Sequence, residues 1–342
     1  MIRINKPILC VGDLGADISI DTRKRYSIKK STETILKGKP IELTAESQTQ
    51  LTSGGAAGNT SIVLSRLGAS PFFLGKIGND IFGKFIEDTL SKEGVDTRWL
   101  ITEKNKYTVI VITYTDANGD RDFYIYPQTG SAYISLEPND IDEDIFSKIG
   151  LIFATGLSLV EEPICSSINK LVIKAKENNI PFALDVNLRP NIYGWDQNKR
   201  KVFMDVIDNC DIIFGSGQDE LTVLTENPSA FDAAKILTKG EKIVVCKLGS
   251  DGAAVFTEKE AIKMPAFPVE VINTVGAGDI FNGGFLAAYV NGKRIDECLL
   301  WGNAAAAYTI QFKDKGNVPN EEQLTQFIKT FDMSKYEIEK IY

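Results

Sequence analysis

A seven-residue segment late in the chain combines small residues with a carboxylate: Asn273-Thr274-Val275-Gly276-Ala277-Gly278-Asp279. A run of helical periodicity follows it. Small residues at a helix start leave backbone N–H groups facing outward, with the positive end of the helix dipole behind them. Such a turn can hold an anion, and Asp279 could act as a base beside a transferring phosphoryl group. A glycine-rich turn with Asp279 as N-cap would give the same sequence, so this motif alone leaves both interpretations open.

A second glycine-rich segment, Ser53-Gly54-Gly55-Ala56-Ala57-Gly58-Asn59, opens a helix pattern that ends near residue 68. Adjacent glycines let the backbone approach a ligand closely, because no side chain intervenes. The Asn59 amide can both donate to and accept from sugar hydroxyls. A tight junction between a loop and a helix would have the same sequence, so a sugar site here is a hypothesis.

The chain contains no histidine. Ser-His-Asp and Cys-His nucleophile systems, histidine-ligated metals and imidazole acid/base chemistry are therefore excluded. Any proton transfer has to use Asp, Glu, Lys, Tyr or Cys.

The composition of the 342 residues is ordinary for a globular protein, with 43% hydrophobic and 25% charged residues. The net charge of −8 argues against nucleic acid as a partner, because that affinity comes mainly from Lys and Arg. One stretch is basic, and we interpret it as a solvated loop, with a rim that attracts an anionic ligand as the alternative. Its basic residues are Arg23, Lys24, Arg25, Lys29, Lys30, Lys37 and Lys39.

The five cysteines lie far apart in apolar runs and show no C-x-x-C spacing. We therefore expect neither a zinc site nor a disulfide framework, and a reducing cytoplasmic location. The longest apolar stretch, near 151–160, is interrupted by Thr155, Gly156 and Ser158. We accordingly expect no signal peptide and no membrane span.

Short apolar runs alternate with helix-period segments over most of the chain, as in a parallel sheet with helices on both faces. The pattern predicts strands near 8–12, 71–77, 151–154, 181–186, 211–214 and 242–247. It predicts helices near 57–68, 80–93, 163–178, 198–208, 218–225, 229–238, 278–291, 295–311 and 320–331.

Two segments, 17–52 and 106–127, break this alternation. The second has the turn chemistry of a β-hairpin, since Ala117-Asn118-Gly119-Asp120 separates two β-rich runs. We expect the two segments to pair into a small sheet over the carboxyl edge of the main sheet, where ligands bind in α/β folds. The chain is then one domain, 1–342, with an inserted lid.

The two glycine-rich segments together resemble the two signatures of the ribokinase-like (PfkB) carbohydrate kinases. Further matches follow in the same order over essentially the whole chain, which makes coincidence a poor explanation. They are Gly12 with Asp17, Gly75-Lys76-Ile77-Gly78-Asn79-Asp80-Ile81-Phe82-Gly83, Asp185-Val186-Asn187-Leu188-Arg189-Pro190, Lys247-Leu248-Gly249 with Gly252, and Asn303-Ala304-Ala305-Ala306.

The resemblance implies a doubly wound α/β core with a β lid, an ATP-dependent sugar kinase, and ATP with Mg²⁺ as cofactors. It implies that Asp279 is the base and that the Gly276, Ala277 and Gly278 amides steady the phosphoryl group. Asp17, Gly54, Gly55 and Asn59 would hold sugar hydroxyls; Lys247, Gly249, Gly252 and Asn303 would line the nucleotide. Glu220 would orient water around magnesium held mainly by the phosphates. The lid is a candidate surface for a homodimer.

Two positions depart from the family pattern. The second signature usually begins with Asp, where this chain has Asn273. The family usually has N-x-x-E where this chain has Gly217-Gln218-Asp219-Glu220, which retains only the glutamate. These departures put magnesium handling, and above all a monovalent-cation site, in doubt.

A near-match to a P-loop occurs at Gly78-Asn79-Asp80-Ile81-Phe82-Gly83-Lys84-Phe85. Phe85 replaces the Ser or Thr that would bind magnesium, so we interpret the segment as structural. No G-x-G-x-x-G follows the first strand, which weakens a dinucleotide-binding interpretation.

The segment from Asp185 to Pro190 is similar to one in fructokinases and 2-keto-3-deoxygluconate kinases. Arg189 follows a predicted strand and could bind a carboxylate, a phosphate or a hydroxyl pair, or it could simply be a surface residue. Many of those kinases end the hairpin with an arginine before a Ser-Ala pair, which Tyr126-Pro127-Gln128-Thr129-Gly130-Ser131-Ala132 lacks. We expect a ketose or keto-sugar acid as substrate, with the acid disfavoured.

Two alternatives remain at this stage. A nucleoside kinase of the same fold would share both signatures. A non-catalytic sugar-binding regulator would keep the pocket, although it would have no need for Asp279 beside an anion site.

Overall fold

A computed structural model describes residues 3–21, 48–115, 121–314, 316–332, 336 and 338–342. Its strands are β1 (Ile8–Val11), β2 (Gly15–Asp21), β3 (Gln48–Gly54), β4 (Pro71–Gly78), β5 (Asp96–Glu103), β6 (Val109–Thr115), β7 (Arg121–Tyr126), β8 (Leu151–Thr155), β9 (Phe182–Asp185), β10 (Ile212–Ser216), β11 (Ile243–Lys247), β12 (Ala253–Phe256), β13 (Ala261–Met264) and β14 (Glu339–Lys340). The α-helices are α1 (Ala56–Arg66), α2 (Ile81–Lys92), α3 (Ile145–Lys148), α4 (Ile164–Glu177), α5 (Pro190–Tyr193), α6 (Gln197–Ile207), α7 (Thr222–Thr225), α8 (Ala230–Leu237), α9 (Ala277–Val290), α10 (Ile295–Thr309) and α11 (Glu321–Lys329).

Ten strands form the main sheet, in the order β14-β13-β12-β11-β10-β9-β8-β1-β4-β5. The seven neighbouring strands β11, β10, β9, β8, β1, β4 and β5 pair in parallel. Strands β12, β13 and β14 extend the β11 edge of the sheet in antiparallel pairing. The predicted doubly wound, mostly parallel sheet with flanking helices is confirmed.

Both faces of the central strands are buried, which explains their unbroken apolar sequences. In β1, Leu9 and Val11 pack into the hydrophobic core on one face, whereas Ile8 and Cys10 pack into the core on the other. The alternation follows from the two-residue side-chain period of a strand. The five cysteines are all buried and unpaired.

The order of the strands places a crevice at the middle of the sheet. The chain runs from β1 to β4 and β5 on one side, and then returns to β8 on the other side of β1. Ligands in open α/β sheets bind where the winding direction reverses, outside the carboxyl ends of the strands. That point lies between β1 and β8.

A separate sheet of four strands, in the order β3-β2-β6-β7, forms the predicted lid. Both β excursions contribute, because β2 pairs with β3 and with β6. Residues 22–47 and 116–120, which include the basic stretch and the hairpin turn, lie outside the described residues. A cross-strand row of Leu51, Ile18, Ile112 and Tyr124 gives the lid one apolar face. A homodimer through the lid stays a prediction.

The structure adds elements that the pattern did not predict and alters one that it did. Strand β5 was not expected, because its charged residues Asp96, Arg98 and Glu103 obscure the pattern of a half-buried edge strand. The predicted helix 218–225 begins as a wide π-type turn, Gly217–Leu221, before α7. This turn lets the Glu220 carboxylate fold back onto the backbone N–H of Ser216, with an O–N distance of 2.7 Å.

In the described part of the chain, no helix is long and apolar enough to cross a membrane.

Candidate active site

The turn before α9 is built around Gly276, which has φ 80° and is the N-cap of the helix. Only glycine adopts this conformation without strain. Asp279 is the third residue of the helix, so the interpretation of Asp279 as N-cap is wrong. Its side chain is free to face the crevice, while the first-turn amides point outward as an anion site.

Asp279 meets Asn59 of the first glycine-rich segment. Asn59 Nδ2 donates a hydrogen bond of 2.8 Å to Asp279 Oδ2, and Thr60 Oγ1 donates to the Asp279 carbonyl at 3.2 Å. Residues about 220 positions apart are therefore joined in one site, as the two motifs suggested.

Burial raises the pKa of Asp279 to about 6, and the negative charges of Asp185 and Asp13 act in the same direction. The hydrogen bond from Asn59 and the positive charge of Lys247 oppose this rise. A carboxylate with a pKa near the working pH is suited to general-base catalysis.

Asp17 of β2, predicted to hold sugar hydroxyls, lies against Gly54 at the end of β3. A Cβ on Gly54 would overlap the Asp17 carboxylate, and a Cβ on Gly55 would overlap the Asp13 carbonyl. Glycine is therefore required at Gly55, where the overlap is with backbone, whereas a side chain at Gly54 would displace the Asp17 carboxylate. A cavity of about 50 Å³ lies beside them. It is lined by Thr52, Ser53, Asn59, Ile62, Gly276, Ile280, Gly316 and Val318.

Asp13 is a buried carboxylate that the sequence analysis did not select. It accepts hydrogen bonds from Thr155 Oγ1 at 2.6 Å and from the Ala56 N–H at 2.5 Å. These bonds fix the start of α1 to the carboxyl ends of β1 and β8. The signal available in the sequence was its place directly after a buried strand, where parallel strands present ligands.

Lys247, predicted to line the nucleotide, lies against the start of α9. Its Nζ donates to Asp185 Oδ1 at 2.9 Å and to Asn282 Oδ1 at 3.4 Å. The same nitrogen lies 3.5 Å from the position that a Cβ on Gly278 would take. Burial lowers the pKa of Lys247, but the charges of Asp185 and Glu220 outweigh it, and the net pKa is raised.

The other predicted nucleotide residues lie after β11 and on α10. Gly249 has φ 60° and faces open space, whereas Gly252 has φ 89° and packs onto the Met264 carbonyl. The buried Asn303 amide donates to the Pro265 carbonyl at 3.4 Å. Gly252 and Asn303 thus hold the segment after β13, and contact with a nucleotide stays a prediction.

Glu220, predicted to orient water around magnesium, has both carboxylate oxygens engaged by backbone. Oε2 accepts from the Ser216 N–H, and Oε1 accepts from the Leu188 N–H at 3.2 Å. Burial raises the pKa of Glu220, and the neighbouring Asp185 charge adds to this. Among the described residues, no group of three or more Cys, Asp or Glu side chains could hold a metal ion.

Arg189 is the N-cap of the short helix α5, with φ 50°, and has an exposed side chain. Its charge acts on Tyr193 of the same helix, and Tyr193 forms a hydroxyl pair with Tyr133. The near-match to a P-loop has a structural explanation, because Asp80 caps α2 through the Phe82 and Gly83 N–H groups.

A family model described as pfkB family carbohydrate kinase matches residues 8–322. The chain belongs to this family. The 5-dehydro-2-deoxygluconokinase of Geobacillus thermodenitrificans strain NG80-2 is 28% identical to it over 285 residues, which cover 81% of this chain and 84% of the relative. Probable fructokinase-3 of Arabidopsis thaliana is 31% identical over 275 residues, which cover 78% and 79% of the two chains.

A solved structure with the same fold is a double mutant of the fructokinase from Vibrio cholerae O395, with fructose, ADP and potassium bound. The TM-score is 0.77 at 23% identity, with 96% of this chain and 100% of that chain covered. The family match and these relatives make this protein a sugar kinase of the pfkB family, and the predicted resemblance is confirmed.

Asn273, the clearest departure of this pfkB kinase from the family pattern, holds its own loop together. Asn273 Oδ1 accepts from the Val275 N–H at 3.1 Å, and Nδ2 donates to the Lys313 carbonyl at 3.0 Å. An aspartate could keep the first hydrogen bond but not the second, because a carboxylate has no donor.

We expect the activity of this pfkB kinase to depend only weakly on potassium at constant ionic strength. Hard cations favour charged oxygen ligands, and Asn273 supplies one oxygen without the charge. Asn273→Asp should increase the dependence. Initial rates with potassium exchanged for a bulky organic cation measure both effects, and strong activation of the wild type would contradict the inference from lost charge.

Proposed function

We propose that this kinase transfers the γ-phosphoryl group of ATP to a hydroxyl of a ketose or keto-sugar acid, such as fructose or 2-keto-3-deoxygluconate. The observation that carries the proposal is the hydrogen bond between Asn59 and Asp279. It joins a sugar-binding candidate to a base candidate at the start of the anion-binding turn. A binding protein would gain nothing from this arrangement.

Asp279 takes the proton of the acceptor hydroxyl as that oxygen bonds to the γ-phosphorus. The bond from this phosphorus to the oxygen that remains on ADP breaks in the same transfer. The Gly276, Ala277 and Gly278 amides stabilise the charge that develops on the phosphoryl oxygens. Asp17 and Asn59 hold the hydroxyls of the sugar, while Gly249 leaves room for the nucleotide.

Magnesium is proposed to accompany ATP and to neutralise its phosphate charge. The described residues suit an ion held mainly by phosphates, because Glu220 is the carboxylate candidate and its oxygens are already engaged by backbone. Glu220 could orient a water molecule of that ion only with its remaining lone pairs.

Within this class, a neutral ketose is favoured over an acid sugar. Among the described residues, Asp13, Asp17, Glu161 and Asp279 place four carboxylates around the acceptor side, against the guanidinium of Arg189. The charges of Asp13 and Glu161 both act on the Tyr133–Tyr193 pair, so these groups lie close together. A substrate carboxylate would meet repulsion from them.

The substrate class is tested with a panel of neutral ketoses, sugar acids and nucleosides in an ADP-release assay. We expect the highest kcat/KM for a neutral ketose. A preference for a nucleoside, or release of ADP with none of the panel, would contradict the proposed function.

Arg189→Ala should raise KM for the preferred sugar about tenfold, the effect expected from losing one charge-assisted hydrogen bond. The effect on KM for ATP should be smaller, because Arg189 lies on the acceptor side. Arg98→Ala is a matched control, since that exposed arginine pairs with Asp96 on the edge strand β5. If only KM for ATP changed, Arg189 would belong to the nucleotide side.

A further inference from the structure

A buried ion pair lies under the anion-binding turn. Lys247 ends β11 and Asp185 ends the β9 strand, and their side chains are 17% and 4% exposed. The pair is connected to α9 through Asn282, whose Oδ1 accepts from Lys247 Nζ. Asn282 is one helical turn beyond Asp279, so the pair and the base contact the same face of one helix.

The charged groups that face Asp279 come from three elements. Asp13 follows β1, Asp185 ends β9, and Lys247 ends β11, while Asn59 of α1 supplies a neutral hydrogen bond. The charge of Glu220 acts on Lys247 and raises its pKa. Lys247 is the cation whose charge opposes the rise in the pKa of Asp279.

Stability alone gives a poor explanation for this cluster. Burying two charges removes their hydration, and replacing a buried ion pair with apolar residues is often neutral or stabilising. In addition, the Nδ2 of the fully buried Asn282 has no hydrogen-bond partner within the described structure. An unsatisfied buried donor is unfavourable, so this polar arrangement indicates a function.

We propose that Asp185 and Lys247 form a positioning element for phosphoryl transfer. Asp185 and Asn282 hold the Lys247 ammonium beside Gly278, where its positive charge supports the anion site and keeps Asp279 ionised. Lys247 thereby acts through the base and the amides. This inference rests on the proposed role of Asp279 as general base.

The test compares the pH dependence of kcat/KM for the sugar in four variants of the full chain. The acid limb of this profile is the range in which kcat/KM falls as Asp279 is protonated. Asp185→Asn removes a negative charge near Asp279 and should move the midpoint of the acid limb about one pH unit lower. Lys247→Met removes the positive charge and should move it about one unit higher, with kcat at the plateau reduced about 10- to 100-fold. Lys247→Arg keeps the positive charge, so the midpoint of its acid limb should lie close to that of the wild type.

The double variant Asp185→Asn/Lys247→Met is the matched control, because it removes both charges and leaves no unpaired ion in the core. Its acid limb should lie between those of the single variants. Thermal unfolding of all variants separates loss of the folded state from loss of the positioning of Asp279. If the Lys247→Met protein does not fold, the acid limb of Asp185→Asn is compared with that of the double variant. These two proteins differ only at Lys247.

Two failures are distinguishable. A wild-type enzyme without an acid limb near pH 6, or an Asp279→Asn variant that retains its rate, would contradict the role of Asp279 itself. The role of the ion pair alone would be overturned by a different result. In that result the wild type has the acid limb, but Asp185→Asn and Lys247→Met leave its pH midpoint unchanged or both shift it in the same direction.

Discussion

Asp279→Asn is expected to lower kcat by about 10²- to 10⁴-fold, or roughly 3 to 5 kcal/mol of barrier. No histidine exists to take over proton transfer, and the Asn59 hydrogen bond holds the carboxylate in place for it. The asparagine is nearly isosteric, so the loss reports the missing base. Steady-state rates of both proteins with saturating sugar and ATP measure it.

Stability should move in the opposite direction from activity. Because the folded-state pKa of Asp279 is raised above its usual value, the folded protein binds this proton more tightly than the unfolded chain does. The charged form therefore destabilises the fold above about pH 6. Asp279→Asn should unfold at a temperature equal to or above that of the wild type at pH 8, and a lower value would indicate structural damage.

Asp296→Asn is a matched control for the base. Asp296 occupies the first turn of α10, as Asp279 does in α9, but it pairs with the exposed Arg294. Its replacement should leave kcat within about twofold, as expected for a surface ion pair. Activity of Asp279→Asn within a few-fold of wild type would remove Asp279 from the mechanism.

Gly54→Ala should raise KM for the sugar by tenfold or more, roughly 1.4 kcal/mol or above. A Cβ at this position overlaps the Asp17 carboxylate, so the methyl group must displace the side chain that we expect to hold sugar hydroxyls. Gly54 does not have a positive φ, and backbone strain is therefore not part of the effect. KM for ATP should change much less.

A double-mutant cycle separates displacement of Asp17 from general damage to the lid. If Gly54→Ala acts by moving Asp17, then Asp17→Ala and the double variant should have nearly the same KM for the sugar. Additive effects of the two changes on KM would instead show that Gly54 affects sugar binding through the backbone course of β3 and not through Asp17.

The apolar pattern predicted the central strands and most of the helices, because these elements are buried on a regular period. It did not predict β12, Ala253–Phe256, or β13, Ala261–Met264. Both contain alanine, which is depleted in strands and weakens the β-rich signal. Their antiparallel pairing onto β11 depends on a neighbouring strand that local sequence does not specify.

The sequence by itself determined the chemistry that this kinase can use. The absence of histidine, the two glycine-rich turns and Asp279 are properties of residue type and local backbone, which short-range geometry controls. Only the tertiary structure decided which groups act together. Asp13, Asp185 and Lys247 meet Asp279 because parallel strands from distant parts of the chain end at one edge. The raised pKa of Asp279 follows from burial and from those charges, and both depend on packing.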